Sequence, residues 1–306
     1  MKRTAIAGAA LVLMTASWVF AADVERFPAD ITWAARVDVQ GMMRSDWGPK
    51  IREGCTRPQA ARLVNAAKAL FGIDLLNDIH ALAICGRQQL KQSVVIYVRG
   101  NLDAERLVAW AALANGYTVS AYGSFEIHSW NDKNSGGKGY GCFVTPQLLV
   151  FANNEARMRA AIDAIQGTGA VARADLVDAL AADGDFASAV ALGVNTMPAV
   201  QAQTAVLEHV TDIQASLGAV DDMLRLSFAA VAEDAATASQ IHAVLSGLRG
   251  LVLLDGGRRP AGAAVAERAV VRTDGLKVTL TITATEDELR QIELEKKGRG
   301  NRPARW

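Results

Sequence analysis

The sequence predicts an α+β protein made of two similar halves. Each half reads β-α-β-β-α-β-β-α, with mainly antiparallel sheets and helices on one face. Three observations predict it. Short runs rich in β-branched and aromatic residues alternate with longer helical stretches. Strands outnumber crossover helices, which disfavours a parallel sheet. The succession of segments also recurs along the chain at a constant spacing, the mark of an internal repeat.

The first strand of each half is Asp30-Ile31-Thr32-Trp33-Ala34-Ala35-Arg36-Val37 and Asp185-Phe186-Ala187-Ser188-Ala189-Val190-Ala191-Leu192. Each leads to a helix entered through Thr56-Arg57-Pro58 or Thr196-Met197-Pro198. Threonine is expected to cap the helix, and proline suits the first turn, where its missing N–H costs nothing. The correspondence continues from Asp78-Ile79 to Asp212-Ile213, from Ser93 to Ser227 and from Leu107 to Ile241. Ser93 to Arg99 has strand composition. Met223 to Val231 alternates Leu224, Leu226, Phe228 and Ala230 against Arg225 and Ser227, the period of a strand.

Helices follow at about 103–114 and 236–251. Each half then closes with a hairpin and a last helix. Leu148-Leu149-Val150-Phe151 precedes one, and Val278-Thr279-Leu280-Thr281-Ile282-Thr283 the other. In the latter the valine, leucine and isoleucine are expected to face the core. Thr285 and Glu288 have capping-box spacing. A short alanine-rich helix over 175–182 bridges the halves. The expected organisation is a leader over 1–21, a first repeat over 22–167, a second over 168–294 and a basic disordered tail over 295–306.

The chain opens Met1-Lys2-Arg3 and runs apolar to Ala22. Cations before an apolar stretch that ends in small residues make a cleavable secretory signal peptide. Cleavage is expected after Ala21, with Ala22 as the near alternative, and no cysteine lies there for lipid attachment. The mature protein is expected in the periplasm or outside the cell, with no later membrane span. Lys and Arg number 32, as do Asp and Glu; losing Lys2 and Arg3 leaves 30 cations against 32 acids, a net charge of −2. That balance gives no whole-protein attraction to nucleic acid or anionic membrane. The basic run from Glu295 to Trp306 reads as a solvated terminus.

The stretch Leu70-Phe71-Gly72-Ile73-Asp74-Leu75-Leu76-Asn77-Asp78-Ile79 resembles a recurring element of uncharacterised secreted bacterial proteins with duplicated α/β halves. So does Ile127-His128-Ser129-Trp130 with the later Leu148-Leu149-Val150-Phe151. The resemblance implies export and the duplicated fold. It implies no activity.

Three cysteines are present, Cys55, Cys85 and Cys142. In an exported chain they predict one disulfide and one spare thiol. A helix over 58–71 advances about 20 Å. A strand over 78–85 running back would return about 23 Å, so Cys55 and Cys85 are the expected pair. Cys142, in Gly141-Cys142-Phe143-Val144, reads as a small buried apolar residue.

The run Asn134-Ser135-Gly136-Gly137-Lys138-Gly139-Tyr140-Gly141 lacks the Ser/Thr and the following helix of a phosphate-binding loop, and reads as a hairpin loop. His80, His128, His209 and His242 are scattered, so no metal site is expected, and no cofactor either. No Gly-x-Ser-x-Gly elbow appears, and no catalytic residue is assigned. His128-Ser129-Trp130-Asn131-Asp132, with Tyr122 nearby, is the cluster to watch: Tyr122, His128, Trp130 and Asp132 are candidate ligand contacts. The reading favours an exported non-catalytic protein that binds or scaffolds an envelope partner or ligand. The alternative is a secreted hydrolase with a dispersed site.

Overall fold

A computed structural model of the chain describes residues 26–87, 93–132, 136–180, 185–196, 207–257 and 259–300. The expected leader with Ala21 and Ala22 lies outside the described residues, as do Met197 and Pro198 of the second helix entry.

In chain order the elements are β1 (Trp33–Asp38), α1 (Val39–Arg44), α2 (Gly48–Cys55), α3 (Pro58–Phe71), β2 (Ile79–Gly86), β3 (Val95–Gly100) and α4 (Ala104–Ala112). Next come β4 (Thr118–Tyr122), β5 (Phe125–Asp132), β6 (Gly137–Thr145), β7 (Leu148–Ala152), α5 (Glu155–Gln166) and α6 (Ala174–Leu180). The remainder are β8 (Asp185–Leu192), β9 (Val210–Val220), β10 (Met223–Ala232), α7 (Ala235–Leu254), α8 (Pro260–Arg268), β11 (Val270–Asp274), β12 (Lys277–Ala284) and α9 (Glu286–Gly300). The class is α+β, and every strand pairing described below is antiparallel. Asp38, Asp103, Asn154 and Asp234 each cap the helix that follows, accepting an N–H from three residues on.

The chain divides into two compact units. One takes in the chain up to Thr32 and Ala61–Val177; the other takes in Trp33–Ala60 and the chain from Asp178.

In the first unit the strand order is β2-β3-β7-β6-β5-β4. Registers set its two faces, because successive side chains point to opposite sides. Tyr97 lies opposite Val150, and Val150 opposite Cys142. These residues and Ala83, Cys85, Val95 and Leu148 share one face and are buried. Met158, Ala161, Ile162 and Ile165 of α5 are buried as well, and α5 contacts β3, β6 and β7. Gly167 ends this helix at φ 72°, a left-handed conformation that favours glycine.

The segment ahead of β1 belongs to the same core. Phe27 is 1% exposed and meets the Tyr97 ring edge to face at 5.5 Å. Its carbonyl accepts the Ala172 N–H at 2.8 Å, and Thr32 donates to the Gly86 carbonyl at 2.9 Å. Asp30 receives Arg157 at 2.5 and 2.8 Å on its two oxygens and also pairs with Arg87. The Arg157 hydrogen bond is the main reason the Asp30 carboxyl is held below its usual range.

The opposite face of this sheet carries Ile96, Val98, Leu149 and Phe151, which alternate with the first set. It is partly covered by α4, which contacts β5 and faces Phe143, Leu149 and Phe151, so helices lie on both faces and not on one as expected. The reason is in β7: Leu148–Ala152 is apolar at every position, so both of its sides need cover.

In the second unit the order is β1-β8-β9-β10-β12-β11. Val210, Ala230, Ala232 and Val278 pack with Ala238 and Ile241 of α7, and Phe228, Ile213, Leu245 and Val271 flank them. Ser188 is buried and donates to the Leu180 carbonyl at 2.7 Å. The capping box is complete: Thr285 N–H donates to Glu288 at 2.9 Å, and Glu288 N–H to the Thr285 hydroxyl at 3.3 Å. Helix α9 continues to Gly300, into the segment expected to be a disordered tail. Its first turn carries Glu286, Asp287 and Glu288, which suit the positive end of the helix dipole.

Three further expectations need correcting. The first half carries one more hairpin than the pattern allowed, with β4–β5 added to β6–β7. Thr56 does not cap α3; its hydroxyl donates back to the Glu53 carbonyl at 2.7 Å and closes α2. Cys55 and Cys85 are not bonded to each other: all three cysteines are free. Cys85 is wholly buried beside Tyr97, and desolvation pushes its thiol to about 12. Burial likewise raises Cys142 to about 11.

Candidate functional site

Between α4 and the sheet of the first unit lies a cavity of about 350 Å³. Leu107, Val108, Trp110, Ala111 and Ala114 line it from the helix side, with Phe71 from the end of α3. His128 and Trp130 of β5, Gly141 and Phe143 of β6, and Leu149 and Phe151 of β7 line it from the sheet. Register explains why these six meet. His128 lies opposite Gly141, Gly141 opposite Phe151 and Phe143 opposite Leu149, so all share one face.

Helix α4 is held at both ends. Asp103 caps its start, accepting the Arg106 N–H at 3.0 Å. Beyond its last turn the Asn115 carbonyl accepts the Asn131 N–H of β5 at 2.9 Å. Yet no residue of α4 is buried. Trp110 remains 41% exposed, and its ring meets Phe71 edge to face at 6.0 Å. A helix whose apolar side faces a partly covered sheet without closing on it leaves room for a guest.

Trp130 owes its position to glycine. A Cβ at Gly139 would stand 2.7, 2.8 and 2.9 Å from three atoms of the indole. One at Gly141 would stand 3.4 Å from two others. The ring therefore lies flat along the β6 backbone, with Phe151 against it edge to face at 6.4 Å. The glycine-rich run expected to be a loop is thus largely strand, because β6 begins at Gly137.

His128 is buried, and its Nδ1 shares a 2.8 Å hydrogen bond with the Tyr117 hydroxyl. The two rings stack at 5.9 Å. Burial lowers the imidazole pKa, against a smaller opposing pull from Glu126, so the ring is neutral at pH 7. Ser129 points to the opposite face, as strand alternation requires. Its hydroxyl pairs with Thr118 at 2.8 Å. His128 and Ser129 therefore do not make a nucleophile and base.

Of the four candidate contacts, His128 and Trp130 line the cavity, and Tyr122 and Asp132 are not among its lining residues. Tyr122 donates its hydroxyl to Asp163 of α5, at 3.0 and 2.9 Å from the two carboxylate oxygens, and Arg159 covers its ring at 4.8 Å. Asp132 ends β5, and its carbonyl accepts the Gly136 N–H at 3.0 Å. The α4 residues, Phe71, Phe143 and Phe151 were not singled out from sequence. The wholly apolar β7, and glycines spaced by two on one face of β6, are the sequence signs that point to them. Elsewhere, His209 contacts Glu233 at 3.2 Å and His242 contacts Thr273 at 2.9 Å. Among the described residues no three metal-type ligands come together.

No family model matches the chain, and no curated protein matches it. Two solved structures of TP0453 share its fold. Crystal form III aligns with a TM-score of 0.50 at 7% identity, covering 89% of this chain and 97% of that one. Crystal form IV aligns with a TM-score of 0.50 at 8% identity, covering 89% and 95%. At that identity the likeness is one of fold alone. Among the described residues no helix is long and apolar enough to cross a membrane.

Proposed function

We propose that the chain is an exported, non-catalytic binding protein whose first unit holds a small uncharged apolar ligand between α4 and its sheet. One observation carries this reading: a 350 Å³ cavity walled almost wholly by apolar and aromatic side chains. That size is within the ~300–1,000 Å³ usual for small-molecule sites. No charged residue is among its lining, and a charge buried there would lose its hydration without gaining a partner.

Export rests on the N-terminal run of two cations and an apolar stretch ending in Ala21-Ala22. The mature protein is then free in the periplasm or outside the cell. Kinship with secreted bacterial proteins of duplicated α/β halves belongs to the same reading. It is supported by the succession β8, β9, β10, α7, α8, β11, β12, α9 in the second half. The first half offers β1, then α1, α2 and α3, then β2, β3 and α4, two hairpins and α5.

The test uses N-phenyl-1-naphthylamine, an uncharged apolar dye that brightens when it leaves water. Saturable binding with one site per chain is expected. Ala111→Trp fills the cavity from the α4 side and weakens binding at least about tenfold, or ~1.4 kcal/mol. Absence of saturable binding to the unaltered chain, or an unchanged affinity in Ala111→Trp, refutes the reading.

A further inference from the structure

Trp130 presents a face to the cavity, and that face narrows the class of ligand. The indole is backed by the β6 backbone, with the Gly139 position under its pyrrole side and the Gly141 position under its far edge. One π face is thereby covered. The ring is nevertheless only half-buried and lines the cavity, so its other face is the one on offer. Phe151 already meets this indole edge to face, so the favourable arrangement still open is a parallel, offset stack.

One polar side chain completes the site. His128 Nδ1 is taken by Tyr117, and no hydrogen bond occupies Nε2 among the described residues. Which ring nitrogen carries the proton depends on the direction of the Tyr117 bond. The free position is therefore a donor in one tautomer and an acceptor in the other. A hydroxyl satisfies either, since it both donates and accepts.

We propose that the cavity takes a flat, uncharged ring compound bearing a hydroxyl, stacked on Trp130 with its polar atom at His128 Nε2. This rests on reading the cavity as a ligand site and sharpens that reading to a chemical class. A flexible alkyl chain of the same carbon count would fill the space but would not use the indole face. It would also lose more conformational freedom on binding.

The experiment compares 1-naphthol with 1-decanol, equal in carbon count and each with one hydroxyl, by calorimetric titration of the mature chain. Naphthol is expected to bind at least about tenfold more tightly. Trp130→Leu removes the platform and erases that preference, whereas Trp130→Phe keeps part of it. His128→Leu weakens naphthol more than it weakens naphthalene, which has the same rings and no hydroxyl. Decanol binding as tightly as naphthol to the unaltered chain overturns the flat-ring class while leaving the cavity a ligand site. Binding of neither overturns both. Should Trp130→Leu fail to fold, the naphthol-to-decanol ratio of the unaltered chain and of Trp130→Phe decides the matter.

Discussion

Placing a methyl group at Gly139 tests the architecture of the cavity floor. In Gly139→Ala the new Cβ would stand 2.7 Å from Trp130 Cε2, so the indole must move by about 0.8 Å to reach the ~3.5 Å of an ordinary carbon contact. Phe151 meets the ring edge to face, so the indole yields toward the open cavity and gives up its seat on β6. Overpacking of this kind costs about 1–3 kcal/mol. Against it stands a gain of about 0.4–1 kcal/mol from the stiffer unfolded chain. The difference runs from about 0 to 2.6 kcal/mol, and a net loss near its middle, about 1.3 kcal/mol, is expected. Gly141→Ala is the internal control: its Cβ would meet the same indole at 3.4 Å, an ordinary contact, so only the entropic gain operates there. Urea unfolding followed by tryptophan emission measures both. Dye binding should fall further in Gly139→Ala, whose indole is driven toward the cavity, than in Gly141→Ala. Equal stabilities for the two variants would refute the account of how Trp130 is seated.

Other expectations concern the first unit's core and its thiols. Phe27→Ala, which empties a fully buried site against Tyr97, should cost about 3–5 kcal/mol in urea unfolding; a loss below about 1 kcal/mol would mean that the segment ahead of β1 is not docked. Asp30 has a folded pKa below its unfolded value, chiefly through Arg157. The stability it supplies is therefore complete above about pH 4 and is lost as pH falls through the depressed value. Asp30→Asn should flatten that acid limb in a pH series of unfolding curves, and an unchanged limb would contradict the assignment. The native chain should show one thiol reactive to a disulfide reagent, half-buried Cys55, and all three after unfolding, since burial raises Cys85 to about 12 and Cys142 to about 11. A single thiol even after unfolding would mean that Cys55 and Cys85 are joined.

What could be read ahead of the structure was local. Alternation along 223–231 and 278–283 placed β10 and β12, and the spacing of Thr285 and Glu288 placed the start of α9. Each depends on residues a few positions apart. Helices α1 and α2 escaped notice because they are short, and glycines 41, 48 and 54 lower their helical propensity. Thr56 followed by Pro58 looks like a helix entry, but the same hydroxyl can also close the helix before it, and here it does. The cavity was legible only through His128 and Trp130, because strand alternation puts them on one face. Their partners come from α3, α4, β6 and β7, and those meet through registers that no short-range pattern specifies. The Cys55–Cys85 pairing failed as an expectation because it rested on element lengths alone. Lengths bound a reach but do not place two sulfur atoms at bonding distance.

The central claim is that an uncharged apolar ligand enters the cavity between α4 and the sheet of the first unit. Amide chemical-shift mapping during titration with N-phenyl-1-naphthylamine tests it most directly. The account predicts that saturable shifts gather on 107–114, in α4 and the turn after it, and on 128–130, 141–143 and 149–151 of β5, β6 and β7. Shifts confined to the second unit, or no saturable shifts at all, would contradict it.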